Sequence, residues 1–79
     1  FRSKTRLKQL LEKLGKGFPK FFYHEKLDEN NKIVFTTSIK IFSLDKNKEW
    51  GVGIGFEKKV SEQNACDHAI RNLNLAGYN

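Results

Sequence analysis

The sequence is poor in the residues on which most protein chemistry depends. It has one cysteine, two histidines, one proline, one tryptophan and no methionine in 79 residues. A single cysteine, Cys66, excludes an internal disulfide, and small secreted domains are usually stapled. A reducing, intracellular compartment, nucleus or cytoplasm, is therefore expected. His24, Cys66 and His68 are the only plausible nitrogen or sulfur metal ligands, fewer than the about four a zinc site needs, so no metal or other cofactor is expected. No apolar run approaches the roughly 20 residues of a membrane span, and no signal peptide is visible. The Gly-rich stretch "GVGIG" lacks the following Lys-Ser/Thr of a phosphate loop. Cys66 falls on an apolar stripe, and Glu12, Glu62 and Asp67 fall at ordinary solvated helical positions. No catalytic constellation emerges, and the chain is expected not to be an enzyme by itself.

Acidic residues are also scarce relative to basic ones. Fifteen Lys and Arg face nine Asp and Glu, for a net charge of +6. Residues 1–26 alone carry eight cations against Glu12 and Glu25. Such an excess suits a polyanionic partner, a nucleic acid or an acidic membrane surface. The absence of a long basic amphipathic helix argues against the membrane. The size allows one small domain. Because the chain opens at Phe1 and has no methionine, residues 1–79 are expected to be a single domain cut from a longer protein.

Periodicity gives the elements. In "TRLKQLLEKL" the leucines at 7, 10, 11 and 14 form the stripe of an amphipathic helix over 5–14. Ser3 or Thr5 is placed to cap it, Gly15 or Gly17 to end it, and Pro19 forbids continuation. "FPKFFYHEKL" and "KIVFTTSIKIF" are rich in aromatic and β-branched residues. The second alternates at period two, with Ile33, Phe35, Thr37, Ile39 and Ile41 on one face. "DENNK" and "DKNKE" read as the turns after each strand. "EWGVGIG" reads as a third strand whose alternate glycines predict close approach of another backbone. Cys66, Ala69, Ile70 and Leu73 then repeat the helical stripe in a helix starting near Lys58. Strands joined by short turns are antiparallel, and two striped helices need one sheet face to cover. The expectation is an α+β, two-layer α-β-β-β-α sandwich with both helices on one face of a three-stranded sheet. Phe21 and Phe35 are assigned to its core, while Trp50 and Phe56 stay open between core packing and base stacking.

Lys58 and Lys59 need a reason. In a first helical turn each cation is unfavourable by ~0.3–1 kcal/mol against the helix dipole. The pair makes sense if an anion docks there, between both ammonium groups and the free N–H groups of the helix end.

The run Gly53-x-Gly55-x-x-Lys58-Lys59-x-Ser61-Glu62-Gln63-x-Ala65-Cys66 resembles the G-x-G-x-S-K-K-x-A-x-x-x-A-A signature of double-stranded RNA-binding domains. Phe18-Pro19-Lys20-Phe21 is similar to that family's entry to its first strand. Glu62-Gln63, together with Lys4-Thr5-x-Leu7-Lys8-Gln9, most resembles the domain that follows the nuclease domain in ribonuclease III and Dicer-type enzymes. The resemblance implies binding of A-form RNA by shape, over about 16 base pairs. It places Thr5, Lys8 and Gln9 in one minor groove and Asn30, Asn31 and Lys32 in the next. Lys58 and Lys59 would grip the phosphates between them. It further implies that the domain positions duplex RNA for a parent endoribonuclease, whose catalytic carboxylates are not in this chain. The chain departs from the family pattern in lacking Gly-Pro-x-His at its first turn, where Asp28 and Glu29 bring negative charge. Glu57 and Glu62 also replace a Ser and a third basic residue. These departures predict modest affinity, and the alternative is a protein-docking or homodimerising module of the same fold.

Overall fold

The apolar stripes become the inner sides of two helices. The computed structural model describes residues 2–79, with α1 at Arg2–Leu14, β1 at Lys20–Leu27, β2 at Ile33–Lys40, a one-turn α2 at Phe42–Asp45, β3 at Gly51–Gly55 and α3 at Lys58–Leu75. The strands form one antiparallel sheet in the order β1-β2-β3. α3 lies across β3 and β2, and α1 lies beside α3, giving the expected α-β-β-β-α sandwich with its helices on one face. Leu7 and Leu11 from α1, Ile39 and Ile41 from β2 and its end, and Ala65, Cys66, Ala69 and Leu73 from α3 form the buried core, closed at one end by Trp50. Trp50 is therefore a core residue, set edge-on to Tyr78. Burial pushes the Cys66 thiol up to about 11, as befits a small packing residue rather than a nucleophile.

Close approach of α3 to β3 depends on the alternate glycines. A Cβ on Gly53 would stand 2.2 Å from both Ala65 N and Ser61 O, and one on Gly51 would stand 2.2 Å from Ala65 O. At this distance α3 also covers the outer edge of β3. Asn64 Nδ2 donates to Ile54 O (3.0 Å), Val52 N–H donates to His68 Nδ1 (3.0 Å), and Asn72 Nδ2 donates to Trp50 O (2.7 Å). These side chains, four residues apart on α3, close an edge that would otherwise be open to strand addition.

Four expectations are corrected. α1 starts at Arg2 rather than Thr5, so neither Ser3 nor Thr5 caps it. Ser3 is buried and donates to the Asp67 carboxylate on α3, a partner 64 positions away that no local pattern reveals. β2 stops at Lys40, short of the expected end at Phe42, and α2 runs from Phe42 to Asp45, the first residue of the expected turn. Ile33 shares the helix-facing side of β2 yet is half exposed, and Phe35 is only partly buried. The register explains this: Phe35 pairs with Gly55, close to where α3 begins, so Ile33 projects beyond the helix. The end of α1 is as expected. Gly15 (φ +69°) follows it, with Gly15 N–H donating to Glu12 O and Lys16 N–H to Leu11 O, the paired bonds of a Schellman motif.

One buried polar pair joins the layers. Ser61 Oγ donates to Lys58 O (2.8 Å), so its single proton is used, and Thr37 must donate to Ser61 Oγ (2.8 Å). Ser61→Ala, which restores the residue of the resembling signature, strands the buried Thr37 hydroxyl and is expected to cost about 1–3 kcal/mol. Thr37→Val leaves Ser61 its acceptor and should cost less. The double variant should recover most of the loss, and urea melts of all three check the order.

Candidate nucleic-acid interface

The tip between β1 and β2 is built by an acidic side chain. Asp28 Oδ1 accepts the backbone N–H groups of Asn30 (2.8 Å) and Lys32 (2.9 Å). Asp28 N–H donates to Lys32 O (2.9 Å), and Asn31 N–H donates to Asp28 O (3.1 Å). Asn31 takes the left-handed conformation (φ +61°), which asparagine tolerates. The Asp28 carboxylate, expected to repel phosphate, is thus turned into the turn and holds Asn30, Asn31 and Lys32 exposed on a fixed loop.

The strand register puts this tip at the same end of the sheet as the start of α3, since Leu27 pairs with Ile33 and Phe35 with Gly55. Phe56, which joins β3 to α3, is 64% exposed, settling against core packing for it, and Lys32 Nζ lies 6.0 Å from its ring centre. Glu57 precedes α3 in an extended conformation and makes no side-chain cap, and the first turn contains no acidic residue. The leading N–H groups of α3 therefore lack a side-chain acceptor from the cap position and present positive charge beside Lys58 and Lys59. Lys58 has a partner of its own, its ammonium lying 4.2 Å from the Tyr23 ring centre on β1.

α3 is in turn locked to α1. Lys4 Nζ forms an ion pair with Glu62 (3.2 Å) and lies 5.0 Å from the Phe21 ring centre, and Tyr23 Oη donates to Glu62. Burial pushes the Glu62 carboxyl up, but the Tyr23 and Lys4 hydrogen bonds and the nearby Lys4 and Lys58 charges outweigh it and leave the group below its ordinary value. Burial, reinforced by that carboxylate, raises the Tyr23 phenol. Glu62 and Asp67, read from sequence as solvated, are the two carboxylates that bind α1 to α3.

On α1, Thr5, Lys8 and Gln9 are exposed, as a contact role requires. Thr5 and Gln9 share a shallow groove of about 340 Å³ with Arg2 and Arg6. Residues 2, 5, 6 and 9 follow the i, i+3, i+4, i+7 spacing of one helix face, so the periodicity that revealed the leucine stripe also marks Arg2 and Arg6 as candidates that sequence reasoning passed over. The start of α3 touches α1 on one side through Glu62 and the β1–β2 tip on the other through Phe56. Its two lysines therefore stand between the other two clusters, along a molecule measuring 42 × 25 × 19 Å.

Among the described residues no group of three or more His, Cys, Asp or Glu side chains is placed to hold a metal, and no helix is long and apolar enough to cross a membrane. A basic α-β-β-β-α sandwich is the class that this fold defines. Residues 3–73 match the model of the double-stranded RNA binding motif, and the chain belongs to that family. No curated protein matches the chain. A domain of this family is a binding module rather than a catalyst, with double-stranded RNA as its partner.

Proposed function

We propose that the domain reads duplex RNA by shape through three clusters: Thr5, Lys8 and Gln9 with Arg2 and Arg6 on α1, Asn30 to Lys32 at the tip, and Lys58 with Lys59 between them. The observation that carries this reading is the placing of both lysines at an N-terminus without a side-chain cap, flanked on either side by exposed polar groups. Side chains cannot read the deep, narrow major groove of A-form RNA. Its shallow minor groove displays 2′-hydroxyls, which suit Thr, Gln and Asn, while the phosphates between suit lysine. We further propose a parent of the ribonuclease III or Dicer class, for which the domain positions duplex RNA in the nucleus or cytoplasm. Lys4 and Glu62, each within a sequence run that carries this resemblance, pair with each other at 3.2 Å, which supports treating the two runs as one unit.

Titration with duplex RNA and duplex DNA of equal length tests the reading. Loss of the 2′-hydroxyl contacts should weaken DNA binding at least about tenfold, the equivalent of ~1.4 kcal/mol. Gln9→Ala should weaken RNA binding several-fold with an unchanged melting temperature. Equal affinity for DNA and RNA would refute recognition by shape. A Gln9→Ala variant that alters oligomer size and leaves RNA binding intact would instead assign the α1 face to a protein.

A further inference from the structure

Among the described residues, the sheet face turned away from α3 has no layer upon it. Strand alternation sends Phe22 and Lys20 of β1, Ser38 and Lys40 of β2, and Val52 and Ile54 of β3 to that side, opposite to Thr37, which touches Ser61. Phe22 is 40% exposed, Val52 37% and Ile54 60%. Phe22 and Val52 flank Ser38 in one row, and Ile54 lies two residues along from Val52, so the apolar groups adjoin one another. Cations ring them. Lys20 pairs directly with Lys40 across β1 and β2, and Lys26 stands at the far end of β1. None of the strand residues directed to this face is a carboxylate. Like charges directly opposite on neighbouring strands are unfavourable, so the Lys20–Lys40 pair calls for an external anion much as Lys58 and Lys59 do.

We propose that this face docks an acidic amphipathic helix of a partner protein, independently of RNA. Sheet faces are covered by helices as a rule, and the outer strands of three lie about 10 Å apart, close to the 10–12 Å diameter of a helix. A leucine stripe on the partner would cover Phe22, Val52 and Ile54, and flanking carboxylates would meet Lys20, Lys40 and Lys26. RNA suits the face poorly. Two rings lie on it, Phe22 and His24. Phe22 already has Lys40 Nζ 5.7 Å from its centre, and His24 stands in one row with Thr36 and Ile54. Val52 and Ile54 offer no flat surface for a base, so no stacking platform of adjoining free rings is formed. A second copy of the chain would oppose one set of lysines with another. Addition of a strand at β3 is closed by Asn64, His68 and Asn72.

The test uses a synthetic helical peptide with leucine at i, i+3, i+4 and i+7 and glutamate between, added to the isotope-labelled domain. Amide signals of Phe22, Ser38, Val52 and Ile54 should move while those of α1 and Lys58 stay, and duplex RNA should not displace the peptide. Ile54→Glu, at an exposed position, should weaken the peptide at least tenfold and leave RNA binding unchanged. Lys20→Glu with Lys40→Glu should transfer preference to the same peptide carrying lysine for glutamate. Equal binding of both peptides by the native domain, shifts centred on α1, displacement by RNA, or preferential adsorption of the face to phosphatidylserine vesicles would each overturn the proposal. Because α1 and the start of α3 lie on the helix side of the sheet, away from Phe22, Val52 and Ile54, failure of the RNA reading and failure of this face read out separately.

Discussion

Gly53→Ala is expected to lower the melting temperature by ~12–24 °C, corresponding to about 3 kcal/mol in a domain of this size. The methyl group would lie 2.2 Å from Ala65 N and Ser61 O and 2.8 Å from Asn64 C, all backbone atoms of α3. No rotamer change relieves such a clash. The helix would have to move off the sheet, and that movement would stretch the Asn64, His68 and Asn72 bonds to β3 as well as the Thr37–Ser61 bond. The glycine positions should therefore form a series. At Gly55 the nearest atoms are Val60 Cγ1 at 2.9 Å, a side chain that can turn aside, and Ser61 N at 3.0 Å, so a smaller shift of α3 suffices and Gly55→Ala should be milder. At Gly17 nothing lies within 4 Å but φ is +78°, and alanine there should cost ~1–2 kcal/mol from backbone strain alone. Thermal melts followed by circular dichroism distinguish the three. A Gly53→Ala variant that melts within a few degrees of the native domain would show that α3 can shift on the sheet without loss. Such a loss is a large fraction of the total, since a domain of this size holds only ~4–12 kcal/mol of stability.

The same glycines show what a sequence makes legible. Their alternation signals close approach because no other residue type tolerates it, and the structure supplies the approaching helix. The leucine stripe of α1 and the Cys66, Ala69, Ile70 and Leu73 stripe of α3 were readable because each repeats with its own element's period. The start of α1 was not, because Ser3 is held by Asp67, and a hydroxyl bonded across 64 residues looks like a local cap in one dimension. Glu62 and Asp67 looked solvated for the same reason. α2 has four residues, too few for any period to show. Asp28 could be read as a repulsive charge or as a turn builder, and only the placing of its carboxylate against Asn30 and Lys32 decides. The candidate interface was legible mainly where a rule of chain chemistry was broken, at Lys58 and Lys59. It was least legible on α1, where Arg2 and Arg6 look like any solvated cations until the groove beside Thr5 and Gln9 is seen.

Changing Lys58 and Lys59 together to alanine should weaken duplex RNA binding by about 10- to 100-fold, the loss of two charge-assisted phosphate contacts. Each phosphate contact releases condensed counterions and adds roughly 0.9 to the salt dependence of binding to B-form duplexes, a value taken here for RNA also. The slope of log affinity against log salt should therefore fall by up to about 2. Folding should be nearly unchanged, because two effects oppose one another. Lys58 over the Tyr23 ring contributes ~0.5–1 kcal/mol as an exposed cation–π contact. Removing both cations from the N-terminus of α3 relieves a dipole repulsion of similar size. Lys58 must partly leave the Tyr23 ring to reach a phosphate, and Lys59 borders the notch lined by Lys4, Glu62 and Gln63. Each single variant should lower the slope by about 1. Fluorescence anisotropy at several salt concentrations measures affinity and slope together. A folded double variant with the native salt slope would place the phosphates elsewhere, and the arginines of α1 would be the next positions to change.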